Sequence, residues 1–508
     1  MNTCDTQDSY GHGKVYDSLI KAESFLDSHL PKNINWSCVF IFLWVFLIVL
    51  NATRLFYNIF WWDECYSILL SHEPIDVLMY ETEYHDANPP LYYLLLKLFY
   101  TMVGIEPFVY NFVSFIPYFL SMALIITVVK RRLGLAPAAI LMLFASILEP
   151  SQYYMTEVRA YEWAFFFLFA MGVLCYEVIM SPKIWSYILI TIIYICACYT
   201  HYYALMCGGL ILVGLIIRSA ARKDKNGTIL SFASLLISFL AFIPWIPFFM
   251  KESNDITTNF WIEGVPNIVE CVIYLFGYNP VSAVFTFFLI ISVIYLVKRL
   301  SKTKRFDDFL SLFENGDEKW SFIFIVLFAV FGVILFMTVV SIIKNPILYT
   351  RYIFPFSSVI WMVMAVFLSG TKLKKLFTVI ILCVLLTISV PLCSIWMVDE
   401  HQIGIEVSDT LTVTSGVMEN GDIILTDQFN IVGYEWDYYY PNNPFTYIYN
   451  GIVPDLSPDN QYWLFLDKKI TPEMMTELSD RGYTAELIKE NGRISYHPLQ
   501  IYKIVNLS

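Results

Sequence analysis

Residues 89–104 read Pro89-Pro90-Leu91-Tyr92-Tyr93-Leu94-Leu95-Leu96-Lys97-Leu98-Phe99-Tyr100-Thr101-Met102-Val103-Gly104, and whether this stretch crosses a bilayer decides the fold of everything after it. It is apolar, but a crossing helix needs about 20 residues. This one is shorter, opens on two prolines and carries Lys97 in its middle. It reads as an interfacial helix lying on the membrane. Elsewhere, hydropathy gives eleven spans, near 36–57, 107–129, 136–153, 161–180, 184–200, 203–217, 229–250, 281–297, 320–343, 352–369 and 376–398. With 89–104 on the surface, Lys130-Arg131-Arg132, Lys183, the run Arg218/Arg222/Lys223/Lys225, the run Lys298–Arg305 and Lys372/Lys374/Lys375 all fall on one face. That is the positive-inside pattern. A crossing at 89–104 would send every one of them to the outer face.

Composition agrees. The chain has 508 residues, 57% of them apolar and only 15% charged, with a mean hydropathy of +0.59. Soluble chains are about a quarter charged. A soluble enzyme, a disordered chain and a coiled coil are excluded. The fold class is an all-α polytopic membrane protein with about eleven transmembrane helices. Interfacial helices lie in the first outer loop, and a small C-terminal α/β domain follows outside the membrane.

Three regions follow. Residues 1–35 are polar and mixed in charge, unlike a cleavable signal peptide, and form a cytoplasmic segment. Residues 36–398 form the membrane domain, with an outer loop at 58–106. Residues 399–508 are a soluble domain on the outer side. From Asp399 on, 17 Asp and Glu stand against 6 Lys and Arg, so this tail supplies nearly all of the net charge of −12. The rest has no basic block that would suggest nucleic acid. In the tail, Ile423–Leu425, Tyr462–Leu466 and Tyr496–Val505 read as strands, and Thr471-Pro472-Glu473 as a capped helix start. Most cysteines lie in apolar spans as packing residues. Cys65 and Cys271 lie outside them and are the pair that a disulfide could join.

The same topology gathers a second set of ionisable residues on the outer face: Asp63, Glu64, His85 and Asp86 in the loop, Glu157 and Arg159 in the turn 154–160, then His201 and Arg351. Charge at a membrane edge is costly and marks a site. Trp61-Trp62-Asp63-Glu64 reads either as an aromatic belt with solvated acids or as a carboxylate held against apolar surface, able to take a proton. In His85-Asp86-Ala87-Asn88-Pro89-Pro90, Asp86 or Asn88 could merely cap the helix that follows. Glu157-Val158-Arg159-Ala160-Tyr161 and Arg351-Tyr352 each place an arginine at the start of a span, with Glu157 able to fix the fork of Arg159. Two arginines beside a two-carboxylate loop suit a phosphate and a general base. His201 and Tyr202 make a tight outer turn, where a lone histidine is more often structural. No Walker loop, GxSxG, HExxH or GxGxxG in a strand–helix context appears. Without a nucleotide site, an outward-facing transferase must draw its donor from the lipid.

Taken in order, Trp62-Asp63-Glu64 with Tyr66-Ser67-Ile68, Asp86-x-x-Pro89-Pro90-Leu91-Tyr92-Tyr93 running to Lys97, Tyr154-x-x-Glu157-x-Arg159-x-Tyr161, Thr200-His201-Tyr202-Tyr203 and Arg351-Tyr352 resemble the bacterial branch of the dolichyl-phosphate-mannose protein mannosyltransferase family. These are membrane glycosyltransferases of the GT-C fold, and the resemblance runs from about residue 36 to 370. It implies a polyprenyl-phosphate-linked sugar as donor, an extracytoplasmic acceptor, an outer-face site and inversion at the anomeric carbon, in a multi-pass protein of the bacterial inner membrane. The family's catalytic carboxylate maps to Asp63. The branch usually has His directly before the double proline, whereas this chain has Asn88, with His85 three residues earlier.

The expected site is then Asp63, Glu64 and Asp86 as catalytic carboxylates and Arg159 and Arg351 as phosphate ligands. His85, Lys97, Glu157, Tyr161, His201, Tyr202 and Tyr352 are substrate contacts. Glu64 or Asp86 could orient the sugar or hold a divalent cation; no cofactor is required. Two rival classes are a flippase of lipid-linked glycans, which should show charged or broken helices in repeated halves, and a scaffold that recruits partners through its tail.

Overall fold

The computed structural model describes residues 14–29, 35–57, 59–104, 106–259, 267–278, 317–370, 374–431, 433–449 and 451–507, with isolated positions between 283 and 294. The span expected at 281–297 and the basic run after it lie largely outside the described residues. Seven described helices are long and apolar enough to cross a membrane: Trp36–Phe56, Pro107–Leu133, Tyr161–Met180, Tyr202–Ala221, Lys225–Asn254, Glu318–Ile343 and Thr350–Gly370. The chain is an integral membrane protein.

Two expected spans are shorter than the hydropathy suggested. Ile184–Cys198 has 15 residues. The 136–153 stretch breaks at Leu148 into Leu135–Ile147 and Glu149–Tyr154, where Pro150 opens the second helix. The deciding stretch forms helix Leu91–Val103, 13 residues long. At 1.5 Å per residue it reaches about 20 Å, against a hydrocarbon core of about 30 Å. It buries Tyr92, Tyr93 and Leu96 and exposes Leu98 and Met102, as a helix resting on a surface should.

Helix Tyr161–Met180 is the hub. It packs against Thr350–Gly370, Pro107–Leu124, Ile184–Cys198 and Tyr202–Ala221. Small residues let backbones approach: a Cβ at Gly214 would lie 2.7 Å from Ile325 on helix Glu318–Ile343. Charge separates cleanly to the two ends of this bundle. Arg132 pairs with Glu177, and Arg218 and Arg222 both pair with Glu318, at the end opposite to Tyr161, His201 and Arg351. The N-terminal helix Lys14–His29 docks at 375–376, where the Glu23 carboxylate accepts the Lys375 and Leu376 amides at 2.9 and 2.6 Å and Asp27 pairs with Lys375.

The C-terminal part is a small α/β unit. Five strands, β1 Ile423–Thr426, β2 Phe445–Tyr447, β3 Tyr462–Leu466, β4 Tyr483–Ile494 and β5 His497–Asn506, form a sheet in the order β2-β1-β3-β5-β4. β1 runs parallel to β2 and β3, and β5 antiparallel to β3 and β4. Three of these strands and the helix Pro472–Asp480 with its Thr471 cap match the sequence reading; β2 and β4 do not appear there. Helix Val390–Ser415 runs without a break across position 399. The β4–β5 hairpin rests on it, with Arg493 Nε 2.8 Å from Glu406.

Candidate active site

The site begins with a helix start. Trp61 is the N-cap of helix Trp62–His72, which places Asp63 and Glu64 in its first turn, where the helix dipole favours negative charge. Glu64 turns back: one oxygen accepts the Trp61 amide at 3.2 Å, the other the Val158 amide at 2.7 Å. The Glu64 carboxyl is pushed up to about 8 by burial, with the Val158 and Trp61 amides pulling the other way. It ties the loop 155–160 to the helix and so sets Arg159 opposite Asp63.

Asp63 faces the arginines. Arg351 Nη1 donates to Asp63 Oδ2 at 2.9 Å, and Arg159 Nε lies 3.9 Å from the same oxygen. Arg159 Nη1 also donates to Ser67 Oγ at 3.1 Å and Tyr93 OH at 3.2 Å. All three ionic residues are nearly buried. One carboxylate between two guanidinium groups leaves a net positive charge, which suits an added anion. Glu157 does not fix the fork of Arg159. Its Oε1 accepts the Trp61 indole N–H at 3.2 Å, its buried Oε2 has no hydrogen-bond partner among the described residues, and burial followed by nearby Glu64 holds its carboxyl well above the usual range.

Aromatic rings wall the cluster. The Arg351 guanidinium lies over Trp61, Tyr349 and Tyr352 at 5.4–5.8 Å. Tyr161, His201 and Tyr352 meet at ring separations of 5.6–6.3 Å. His201 caps helix Tyr202–Ala221 by accepting the Tyr203 amide at 3.3 Å; burial, then Arg159 and Arg351, hold its imidazole down at about 3, so it stays a neutral acceptor. The Tyr202 hydroxyl donates to Glu252 and accepts from the Trp245 indole.

Two cavities flank this wall. One of about 900 Å³ is lined by Trp61, Trp62, Glu157 and Arg351, together with Glu149, Glu270 and several tyrosines. The other, about 360 Å³, is mostly apolar and bounded by Asn88, His201, Tyr202, Tyr352 and one side of helix Glu318–Ile343, with Lys344 at its edge.

Two expected residues, Lys97 and His85, are elsewhere, while a third, Asp86, stays beside Tyr93 and Arg159. The Lys97 ammonium donates to the carbonyls of Ser71 and Glu73, closing the far end of helix Trp62–His72. His85 pairs with Glu81 at 3.1 Å on the surface. Asp86 uses Oδ1 to accept the Ala87 amide and the Asn88 side chain, as a turn-forming aspartate does. Of the two residues that could have held a cation, Glu64 is held through both oxygens by backbone amides, whereas Asp86 keeps its second carboxylate oxygen buried near Tyr93 and Arg159. Among the described residues no group of three or more His, Cys, Asp and Glu forms a metal-holding set. Cys65 and Cys271 are both free. Sequence reading carried Ser67 and Tyr93 only as motif letters and Trp61 as an aromatic belt, and did not single out the cavity acids Glu149 and Glu270. Ser67 lies four residues after Asp63, on the same helix face, and Glu149 is an acid inside an apolar stretch.

No family model and no curated protein matches the chain. Solved structures do. The chain is similar to the crystal structure of ArnT from Cupriavidus metallidurans in the apo state, with a TM-score of 0.51, 10% identity, and coverage of 91% of this chain and 97% of that one. Against the same protein bound to undecaprenyl phosphate the TM-score is 0.54, with 9% identity and coverage of 93% and 98%. The likeness gives the fold over nearly the whole length, C-terminal unit included, and it is the GT-C fold that the sequence resemblance implied.

Proposed function

We propose that this protein is a glycosyltransferase that moves a sugar from a polyprenyl-phosphate donor to an acceptor on the outer side of a bacterial inner membrane, with inversion at the anomeric carbon. The observation that carries the reading is the Asp63 carboxylate set between Arg159 and Arg351, the latter lining a large cavity. The ArnT-like fold, seen in one structure with undecaprenyl phosphate bound, and the mannosyltransferase-like motifs support it. The N-terminal helix then lies in the cytoplasm and the C-terminal unit, 399–508, outside.

The chemistry divides between the charges. The donor phosphate takes the guanidinium groups that Asp63 shares, which frees Asp63. An acceptor hydroxyl or amine attacks the anomeric carbon, its proton passes to Asp63, and the carbon–oxygen bond to phosphate breaks. The leaving polyprenyl phosphate takes the bonding electron pair and gains a negative charge, which Arg159 and Arg351 stabilise in surroundings where such pairing is strong. Inversion needs nucleophile and leaving group on opposite faces of the sugar, and two separate cavities meet here, one lined by Arg351 and the other by Tyr352. The apolar cavity, beside lipid-facing Phe336, Val339 and Ile343, suits the polyprenyl chain. The larger one, rich in tryptophan and tyrosine, suits sugar and acceptor.

The test is direct. Purified protein is incubated with polyprenyl-phosphate sugars and a bacterial envelope extract, and released polyprenyl phosphate is measured. Release that depends on the extract supports the reading; donor carried across vesicles unchanged would favour a flippase.

A further inference from the structure

One buried hydroxyl that this chemistry does not use touches the segment from which the base is hung. Helix Gly433–Tyr439 of the C-terminal unit packs against helix Trp62–His72. The buried Tyr439 hydroxyl donates to the Phe60 carbonyl and accepts from the Phe60 amide, each at 2.9 Å. Phe60 is itself fully buried, with the Tyr438 ring edge-on at 5.5 Å. The Cys65 thiol also approaches the Phe60 carbonyl, at 3.5 Å. A second ring contact, Tyr66 with Tyr434 at 5.0 Å, closes the same seam.

We infer that Tyr439 is a positioning residue for Asp63, fixing from the C-terminal unit the backbone that feeds the first turn of the helix carrying the base. The inference rests on the reading of Asp63 as that base. Phe60 stands just before the N-cap, so the helix takes neither of its backbone groups. Buried backbone groups need partners. A phenol satisfies donor and acceptor with one atom, and a rigid ring brings it from the far end of the chain. From Phe60 the hold passes to Trp61, whose indole binds Glu157 and whose ring faces Arg351, and then to Asp63. The C-terminal unit thereby acts on the reaction without touching substrate.

The experiment compares the full-length wild type with Tyr439→Phe, which keeps the ring, and with Tyr438→Phe, which keeps the ring on Phe60. For Tyr439→Phe we expect kcat to fall about 10- to 100-fold, as for a slightly misplaced catalytic group, while KM for the donor stays within about twofold. Amide hydrogen exchange across residues 59–65 should quicken, with helix Tyr161–Met180 unchanged. Tyr438→Phe should match the wild type in both. A structural tether would move melting temperature without this split between kcat and KM. Wild-type kcat in Tyr439→Phe, or unchanged exchange at 59–65, overturns the inference. Absent transfer in the wild type overturns instead the reading of Asp63, and the exchange comparison then decides by itself whether Tyr439 holds this segment.

Discussion

Each end of the helical bundle sets one carboxylate between two arginines, and the two arrangements differ in how the charges close. At the end of helix Glu318–Ile343, Glu318 gives one oxygen to Arg218 and the other to Arg222, and its side chain is about a third exposed. Each arginine there has its own partner oxygen, and Arg222 and Glu318 are partly exposed while Arg218 is buried. At the other end Arg351 and Arg159 both turn to Oδ2 of Asp63, at 2.9 and 3.9 Å, nearly out of solvent and beside a 900 Å³ cavity. The first is a clamp between helices. The second holds cationic capacity that a single oxygen does not use up. Residue types alone do not separate a clamp from a site; the sharing of acceptor atoms and the adjoining space do.

The largest expected effect breaks the comparison at its carboxylates. Asp63→Asn should lower turnover by about 10²–10⁴-fold, the usual contribution of a general base, with expression kept. Glu318→Gln should leave turnover within a few-fold and lower thermal stability. Equal losses of turnover in both would show that the open arrangement has no special role.

Next come the arginines. Arg351→Lys or Arg159→Lys should raise the donor KM or lower kcat by about tenfold, because an ammonium does not reproduce the planar fork. Arg222→Lys at the clamp should turn over as the wild type does, since a partly exposed ion pair contributes little. Steady-state kinetics on the three variants separates these outcomes.

A smaller effect lies in the pH dependence of stability. Glu64, raised from 4.5 to about 8 by burial, holds a proton in the folded state that the unfolded chain releases. Its contribution is complete below about 4.5 and is lost as pH rises towards 8. His201, lowered from 6.5 to about 3 by burial, acts in the opposite sense: its contribution is complete above 6.5 and is lost as pH falls towards 3. Glu64→Gln should therefore flatten the alkaline side of a melting-temperature profile and His201→Asn the acid side.

The smallest effect is expected at Lys97. Replacement by Met should cost some stability of helix Trp62–His72 and leave donor KM unchanged. A donor KM raised tenfold would return Lys97 to the site.

Much of this was legible in the sequence. The helical membrane fold followed from hydropathy, and Asp63, Arg159 and Arg351 stood out because ions at a membrane edge are costly. Their shared outer face was expected; the atoms that meet there were not legible. Asp63 and Arg351 are joined across 288 positions, and nothing local to Arg351 names its partner. Adjacent carboxylates also look alike on the page: Glu64 becomes a bracket for backbone amides while Asp63 becomes the ionic centre, because the helix start turns one back and the other outward. His85 and Lys97 read as site residues through proximity in sequence, and the folded chain spends them on Glu81 and on two carbonyls. The hold of Tyr439 on Phe60 spans 379 positions and leaves no mark in either motif.

The central claim is that Asp63 and the donor phosphate compete for the same two guanidinium groups. Equilibrium binding of polyprenyl phosphate to purified wild type, Asp63→Asn and Arg351→Lys tests it most directly. The account predicts that Asp63→Asn binds as tightly as the wild type or more tightly while failing to turn over, and that Arg351→Lys binds about 10- to 100-fold more weakly, as expected for loss of a charge-assisted hydrogen bond. Weakened binding in Asp63→Asn together with unchanged binding in Arg351→Lys would contradict it.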